Sequence, residues 1–79
     1  MSVHVMYYGM LAEITGQSDE AFLIGEQLTV GQLRTQIVEK YPLLRDKKFK
    51  IAVNKQIVED FGLVPDQAEI ALLPPFAGG

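Results

Sequence analysis

The sequence predicts a small α+β domain, in which one main helix packs across a mixed β-sheet and a C-terminal tail protrudes. Its 79 residues are enough for one hydrophobic core and too few for two. Four β-rich segments surround one segment with helical periodicity, in the order strand, strand, helix, strand, strand. Two prolines close the last strand, so we assign residues 1–73 to the domain and residues 74–79 to a flexible tail.

The chain opens with a hairpin. Residues 3–8 are mostly β-branched or aromatic, a composition typical of β-strands. Glycines bracket residues 10–15, a segment long enough for about two turns of helix. Residues 21–24 are apolar and predict a second strand, hairpin-paired with the first. Because side chains alternate along a strand, Tyr8 is expected on the face opposite the core.

The main helix has the clearest local signals. Thr29 and Gln32 fit a capping box, in which each side chain satisfies a backbone N–H group at the start of the helix. The apolar residues that follow recur at helical spacing and predict one buried stripe: Val30, Leu33, Ile37 and Tyr41. Pro42 ends the helix, because the residue before a proline disfavours helical backbone geometry.

The remaining segments complete the sheet. Residues 49–53 predict a third strand, and a tight turn at Asn54 and Lys55 leads into residues 56–58. Residues 69–73 predict the last strand. If the first and last strands lie side by side at the centre of the sheet, the arrangement is a β-grasp, the shape of ubiquitin.

Composition excludes several functional classes. The net charge of −3 and the pI near 4.9 argue against nucleic acid as a partner, because phosphate binding needs a basic face. Without cysteine, the chain has no disulfide, thiolate nucleophile or cysteine metal site. No apolar run approaches the roughly 20 residues that span a bilayer, and no signal pattern opens the chain, so we expect a cytoplasmic protein without a membrane partner.

No group of side chains forms a catalytic or metal-binding motif. His4 is the single histidine and has no partner nearby in sequence, so we expect a surface residue. The carboxylates lack metal-loop spacing, and the glycines match no nucleotide fingerprint. Residues 45–50 hold four of the seven basic residues and form either a solvated loop or a steering site for an acidic partner. We therefore expect no bound cofactor or metal and no catalytic groups, but a substrate or carrier for other catalysts.

The tail carries the strongest functional signal. Gly78 and Gly79 have no Cβ, so a terminal carboxylate there would follow a stretch of backbone without side chains. Such a stretch can enter a narrow channel in another protein. Pro74 and Pro75 cannot donate to a sheet ladder and keep the chain extended. A tail of six residues reaches roughly 20 Å, enough to enter another protein's active site. The pattern predicts that the carboxylate of Gly79 is reactive; the alternative is a terminus that frays after a strand.

Three apolar residues fall outside the predicted core. Tyr8, Ile57 and Leu73 each lie on the alternate face from the core residues of their strand, or next to a turn. In a β-grasp they would form one exposed apolar patch beside the root of the tail, suited to docking a partner. The alternative is that a neighbouring loop covers one or more of them.

With these features the chain resembles the sulfur-carrier subunits of molybdopterin synthase, in the family shared with the thiamine sulfur carrier. The resemblance covers the whole length. It rests on Tyr7-Tyr8-Gly9, Leu11-Ala12-Glu13, Ile51-Ala52-Val53-Asn54-Lys55 and Leu72-Leu73-Pro74-Pro75-Phe76-Ala77-Gly78-Gly79. The closing Pro-Pro-x-x-Gly-Gly is its most specific element. Ala12 is a departure, because relatives often carry arginine there, and this puts one polar contact with a partner in doubt.

The resemblance implies sulfur chemistry at Gly79. An activating enzyme related to the ubiquitin activators would adenylate the carboxylate with ATP, and a persulfide sulfurtransferase would replace AMP to give a thiocarboxylate. The tail would then enter the large subunit of the synthase and donate sulfur to cyclic pyranopterin monophosphate, in a heterotetramer of two small and two large subunits. By the same resemblance, the docking surface maps onto Tyr8, Ile57 and Leu73.

Other functions stay open. The chain is alternatively a thiamine-type sulfur carrier or a ubiquitin-like modifier joined to lysines. Thiamine carriers tend to be shorter and to lack the double proline, whereas a modifier would form covalent conjugates. A third alternative is a β-grasp binding module with an inactive terminus, which would tolerate residues added after Gly79.

Overall fold

One helix covers one face of a five-stranded mixed sheet in the computed structural model, which describes residues 1–75. The elements follow one another as β1 (Ser2–Tyr7), α1 (Met10–Thr15), β2 (Asp19–Leu23), α2 (Val30–Lys40), a 3₁₀ turn (Pro42–Leu44), β3 (Lys50–Val53), β4 (Gln56–Ile57) and β5 (Glu69–Leu73). The four predicted strands and both helical segments are present, with ends shifted by up to two residues, and the segment after the turn at Asn54 and Lys55 forms a fifth strand, β4.

The order of the strands confirms the β-grasp. They lie in the order β2-β1-β5-β3-β4, so the first and last strands are neighbours at the centre of the sheet. β1 and β5 run parallel, with Val5 opposite Ile70 and Tyr7 opposite Leu72, and the other pairs are antiparallel. Because β1 and β5 point the same way, the start of α1 and the root of the tail leave the sheet at one end.

The core lies between α2 and one face of the sheet. Alternate residues of the central strands, such as Val5 and Ile70, are completely buried, as are Leu33 and Ile37 of α2. The predicted stripe of α2 is confirmed, although Tyr41 is half-buried and caps the helix rather than extending it. This burial of apolar area is the main stabilising term of the fold.

The start of α2 confirms the predicted capping box. The backbone N–H of Gln32 donates to Thr29 Oγ1 at 3.1 Å, and Gln32 Oε1 accepts from the backbone N–H of Thr29 at 2.8 Å. Both bonds satisfy N–H groups that have no partner within the helix. The loop before β5 adds to this, because the N–H of Val30 donates to the carbonyl of Gly62 at 2.8 Å.

The far end of α2 is tied to the sheet through Glu20 of β2. The hydroxyls of Tyr7 and Tyr41 donate to Glu20 Oε1 at 2.5 and 2.7 Å, and Lys40 Nζ lies 2.9 Å from Glu20 Oε2. Burial alone would raise the pKa of this carboxyl, but hydrogen bonds from Tyr7, Lys40, Tyr41 and Gln17 outweigh it and lower the pKa to about 2. The charged form of Glu20 therefore links β1, β2 and the end of α2.

Candidate docking surface at the tail root

The direction of the tail is set where β5 ends. Leu73 is the last residue of β5, and Pro74 follows it against Gly9. Gly9 has φ of +58°, and a Cβ there would lie 3.3 Å from Pro74 Cγ. Only glycine fits both this backbone and this contact without strain. Pro74 is thus half-buried and fixed on the domain, whereas Pro75 is exposed.

The rest of the predicted tail lies outside the described residues. These positions are Phe76, Ala77, Gly78 and Gly79.

The face of the sheet opposite α2, here called the open face, carries the three predicted docking residues. It is formed by Met6, Tyr8, Ala52, Ile57, Ala71 and Leu73. Tyr8 follows β1 directly, and its hydroxyl lies 3.8 Å from Met6 Sδ, which places it on this face. Tyr8 is 45% exposed and Ile57 58%, so no loop within residues 1–75 covers either of them. Leu73 is half-buried.

A cross-strand row of apolar residues crosses this face from Met6 to Ile57, and Ala52 within it is buried. Met6 lies opposite Ala71, Ala71 opposite Ala52, and Ala52 opposite Ile57. Residues in register on neighbouring strands are within side-chain contact, so the row is continuous from β1 to β4. Met6, Ala52 and Ala71 were not predicted as site residues, although the alternation of side chains along each strand indicates that they lie on this face.

Charged residues mark the two ends of the open face. Toward the end away from the tail, Glu69 is in register with His4; Asp19, whose Oδ1 lies 3.2 Å from His4 Nε2, is in register with Met6 and so lies beside the apolar row. At the tail end, Lys50 is in register with Leu73. The open face therefore has Glu69 toward one end and Lys50 toward the other, with Asp19 at the β2 side of the apolar row.

The open face is formed mainly by apolar side chains. Within the described range, no cluster of three or more His, Asp or Glu residues could hold a metal ion. His4 contacts only Asp19 among the charged groups of residues 1–75, and both side chains are about half exposed. None of the helices in that part of the chain is long and apolar enough to cross a membrane. What the geometry offers is an apolar face beside the point where the chain leaves the sheet.

Comparison with known proteins gives consistent matches along the whole chain. The model of the ThiS family matches residues 5–79. The human molybdopterin synthase sulfur carrier subunit is 37% identical over 82 residues, which cover 98% of this chain and 93% of that protein.

Two solved structures share the fold over their full lengths and that of this chain. SAMP1 from Haloferax volcanii has a TM-score of 0.86 at 22% identity, with 100% of both chains covered. The other comes from the complex of subunits 1 and 2 of the molybdopterin-converting factor of Helicobacter pylori, with a TM-score of 0.70, 24% identity and 100% of both chains covered.

Proposed function

This chain belongs to the ThiS family, and on that premise we propose that it is the sulfur-carrier subunit of a molybdopterin synthase in molybdenum cofactor biosynthesis. One observation carries the proposal furthest. The central strand β5 runs straight into Pro74, which contacts Gly9, so an apolar face of the sheet lies next to the root of the tail. The whole-length identity to the human carrier subunit supports the same assignment.

The chemistry that we propose takes place at Gly79. A carboxylate is a poor electrophile because its charge is delocalised and it has no good leaving group. Attack of the carboxylate on the α-phosphorus of ATP releases pyrophosphate and gives an acyl adenylate, from which AMP leaves readily. A persulfide displaces AMP, and a thiol cleaves the resulting acyl disulfide to leave a thiocarboxylate. This chain contains no cysteine that would intercept the activated end.

Three partners follow from this chemistry. An adenylating enzyme supplies ATP activation, a sulfurtransferase supplies the persulfide, and a large subunit receives the tail and the sulfur. The complex of subunits 1 and 2 from Helicobacter pylori supports the large-subunit partner. We propose the open face as the surface on which these partners dock, two carriers and two large subunits as the assembly, and the cytoplasm as its location.

A chain extended after Gly79 tests the proposal. Adding one alanine after Gly79 moves the carboxylate away from its reacting position, so we expect no sulfur loading by the activating enzyme, ATP and a sulfur donor. The matched control adds one alanine before Met1, at a position remote from the tail, and is expected to load like the wild type. Loading of the extended chain, with the extension still present by mass, would contradict the proposal.

The identity of the acceptor separates molybdopterin from thiamine synthesis. The thiocarboxylate form is incubated with a molybdopterin synthase large subunit and its pterin substrate, or with the thiazole-forming system of thiamine synthesis. We expect sulfur loss only in the first mixture. Sulfur loss only in the second would make the chain a thiamine-type carrier, and covalent conjugates to lysines in cell extract would make it a protein modifier.

A further inference from the structure

A strongly basic segment lies at the tail end of an acidic molecule. Residues 45–50, here called the basic collar, carry four of the seven basic residues of a chain whose net charge is −3. All four are exposed: Arg45, Lys47, Lys48 and Lys50. The ion pairs among residues 1–75 involve His4, Arg34 and Lys40. None of the four collar side chains therefore has a carboxylate of the described residues within ion-pair distance.

Two contacts fix the basic collar beside the root of the tail. Lys50 is in register with Leu73, the last residue before the prolines. Lys47 lines a groove of about 440 Å³ together with Met10 of α1. Met10 directly follows Gly9, the residue that contacts Pro74. The collar therefore extends around the end of the domain from which the tail leaves.

The opposite end of the domain has the opposite charge. Glu69 begins β5, Asp66 lies in the turn before it, and Glu26 lies in the loop before α2. Lys55, in the turn between β3 and β4, is at that end too, because β3 runs from Lys50 at the tail end to the turn.

Carboxylates also lie at the tail end, because Glu13 and Asp46 line the groove of Lys47, and Glu59 and Asp60 line a second groove with Lys50. What distinguishes the tail end is the run of four exposed cations in the basic collar.

We propose that the basic collar contacts an acidic rim around the channel that receives the tail, so that electrostatic attraction orients the carrier before the tail enters. This inference rests on the proposed function and adds the chemistry of the partner's surface. Any six residues reach at most roughly 20 Å when fully extended, so a tail that inserts its carboxylate to that depth would leave the collar at the channel mouth. The collar lies beside the root of the tail, so the subunit that receives the tail is its expected partner rather than nucleic acid or anionic lipid.

Matched charge reversals test the collar. Lys47→Glu and Lys50→Glu at the tail end are compared with Lys55→Glu at the other end, and each changes the net charge by two, from −3 to −5. Association with the purified large subunit is measured by stopped flow at low and high salt. In about 0.05 M salt we expect the two collar variants to associate about threefold to tenfold more slowly than wild type, and Lys55→Glu less than about twofold. At about 0.5 M salt the differences should fall below about twofold.

The possible results distinguish failure of the inference about the collar from failure of the proposed sulfur-carrier function. Equal slowing by all three variants would mean that only the net charge matters. No slowing by the collar variants at low salt would mean that the collar makes no contact with the large subunit. Either result overturns the inference about the collar but leaves the proposed sulfur loading of Gly79 unaffected. Wild-type binding to duplex DNA or to anionic lipid vesicles as tight as to the large subunit overturns it too. A wild-type chain that neither loads sulfur nor binds the large subunit overturns the proposed function and the collar together. Unfolding free energies of the variants equal to that of wild type exclude loss of fold.

Discussion

At the scale of single residues, Leu73 connects the fold to the proposed function. It ends the central strand β5, lies on the open face beside Tyr8, and directly precedes the proline that leads into the tail. Its side chain is half-buried in the free domain, and a partner on the open face would bury the remainder. A change at this position should therefore affect docking more than folding.

The substitution Leu73→Asp tests that role. Complete burial of a leucine contributes about 1.5–3 kcal/mol and a partner would bury about half of Leu73, so we expect binding to the large subunit and to the activating enzyme to weaken by at least about fourfold to tenfold. Leu63→Asp is the control, because Leu63 is 63% exposed and lies in the loop that bridges to the start of α2. Calorimetry gives the affinities, and circular dichroism checks the fold. Unchanged affinity of a folded Leu73→Asp chain would contradict the docking role of the open face.

Gly9→Ala tests how the tail root is positioned. Gly9 has φ of +58°, and a Cβ would lie 3.3 Å from Pro74 Cγ, so we expect a loss of about 1–3 kcal/mol in the free energy of unfolding. Gly25→Ala is the matched control, because its backbone φ is not positive and a Cβ there meets no atom within 4 Å. Chemical denaturation measures both. A Gly9→Ala chain as stable as Gly25→Ala would show that the contact with Pro74 does not constrain the backbone.

At the scale of elements, α2 shows how local sequence and packing act together. Its capping box satisfies N–H groups at the start of the helix, and its buried stripe packs on the sheet. Lys40 at its end is held by Glu20, so the helix is fixed at both ends by interactions outside its own backbone.

Thr29→Ala should destabilise the domain by about 1 kcal/mol, because it removes the side chain that accepts from the backbone N–H of Gln32. Thr35→Ala is the control on the same helix. The hydroxyl of Thr35 donates to the carbonyl of Gly31 four residues earlier, and alanine has the higher helix propensity, so we expect stability to stay equal or rise. Urea denaturation compares the two. Equal effects of both substitutions would mean that the cap adds nothing to the tertiary contacts.

Elements with local signals were predictable from the sequence, and those set by tertiary contacts were not. The cap at Thr29 and the stop at Pro42 determine the length of α2 through neighbouring residues alone. The 3₁₀ turn at Pro42–Leu44 was not predicted, because Leu44 there is buried by contacts with distant parts of the chain. The alternation of β1 placed Tyr8 on the open face correctly.

At the scale of the whole molecule, the Glu20 network joins three elements that are far apart in sequence. The side chain of Glu20 is only 9% exposed and accepts hydrogen bonds from Tyr7 of β1, from Tyr41 and Lys40 at the end of α2, and from Gln17. In the sequence, Glu20 is one of ten acidic residues and belongs to no recognisable motif. No local pattern shows that two tyrosines and a lysine converge on one carboxylate, because only the pairing of β1 with β2 and the packing of α2 bring them together.

This network makes stability depend on pH. Folding lowers the pKa of Glu20 from 4.5 to about 2, so the stabilisation is complete above pH 4.5 and is lost as the pH falls toward 2. Between about pH 5.5 and pH 2, we expect wild type to lose about 3 kcal/mol more of its unfolding free energy than Glu20→Gln. Glu26→Gln, at an exposed loop position, is the control and should follow wild type. Parallel curves for wild type and Glu20→Gln would show that the carboxylate is not stabilised in its charged form.

The proposed site combines what the sequence shows with what only the fold brings together. Tyr8, Ile57 and Leu73 were selected from strand alternation, and the fold places all three on the open face, joined by Met6, Ala71 and Ala52. Their role in docking stays a prediction. The basic collar could be seen in the sequence as a charged segment, but its place beside the tail depends on the register of Lys50 with Leu73.

The most direct test of the account is the intact mass of the chain before and after incubation with its activating enzyme, ATP and a sulfur donor. The account predicts a mass gain equal to the exchange of one oxygen for one sulfur, localised by fragmentation to Gly78 and Gly79. It also predicts that the gain disappears when the large subunit and its pterin substrate are added. No gain, with an activating system that loads a known sulfur carrier in the same mixture, would contradict the sulfur-carrier function.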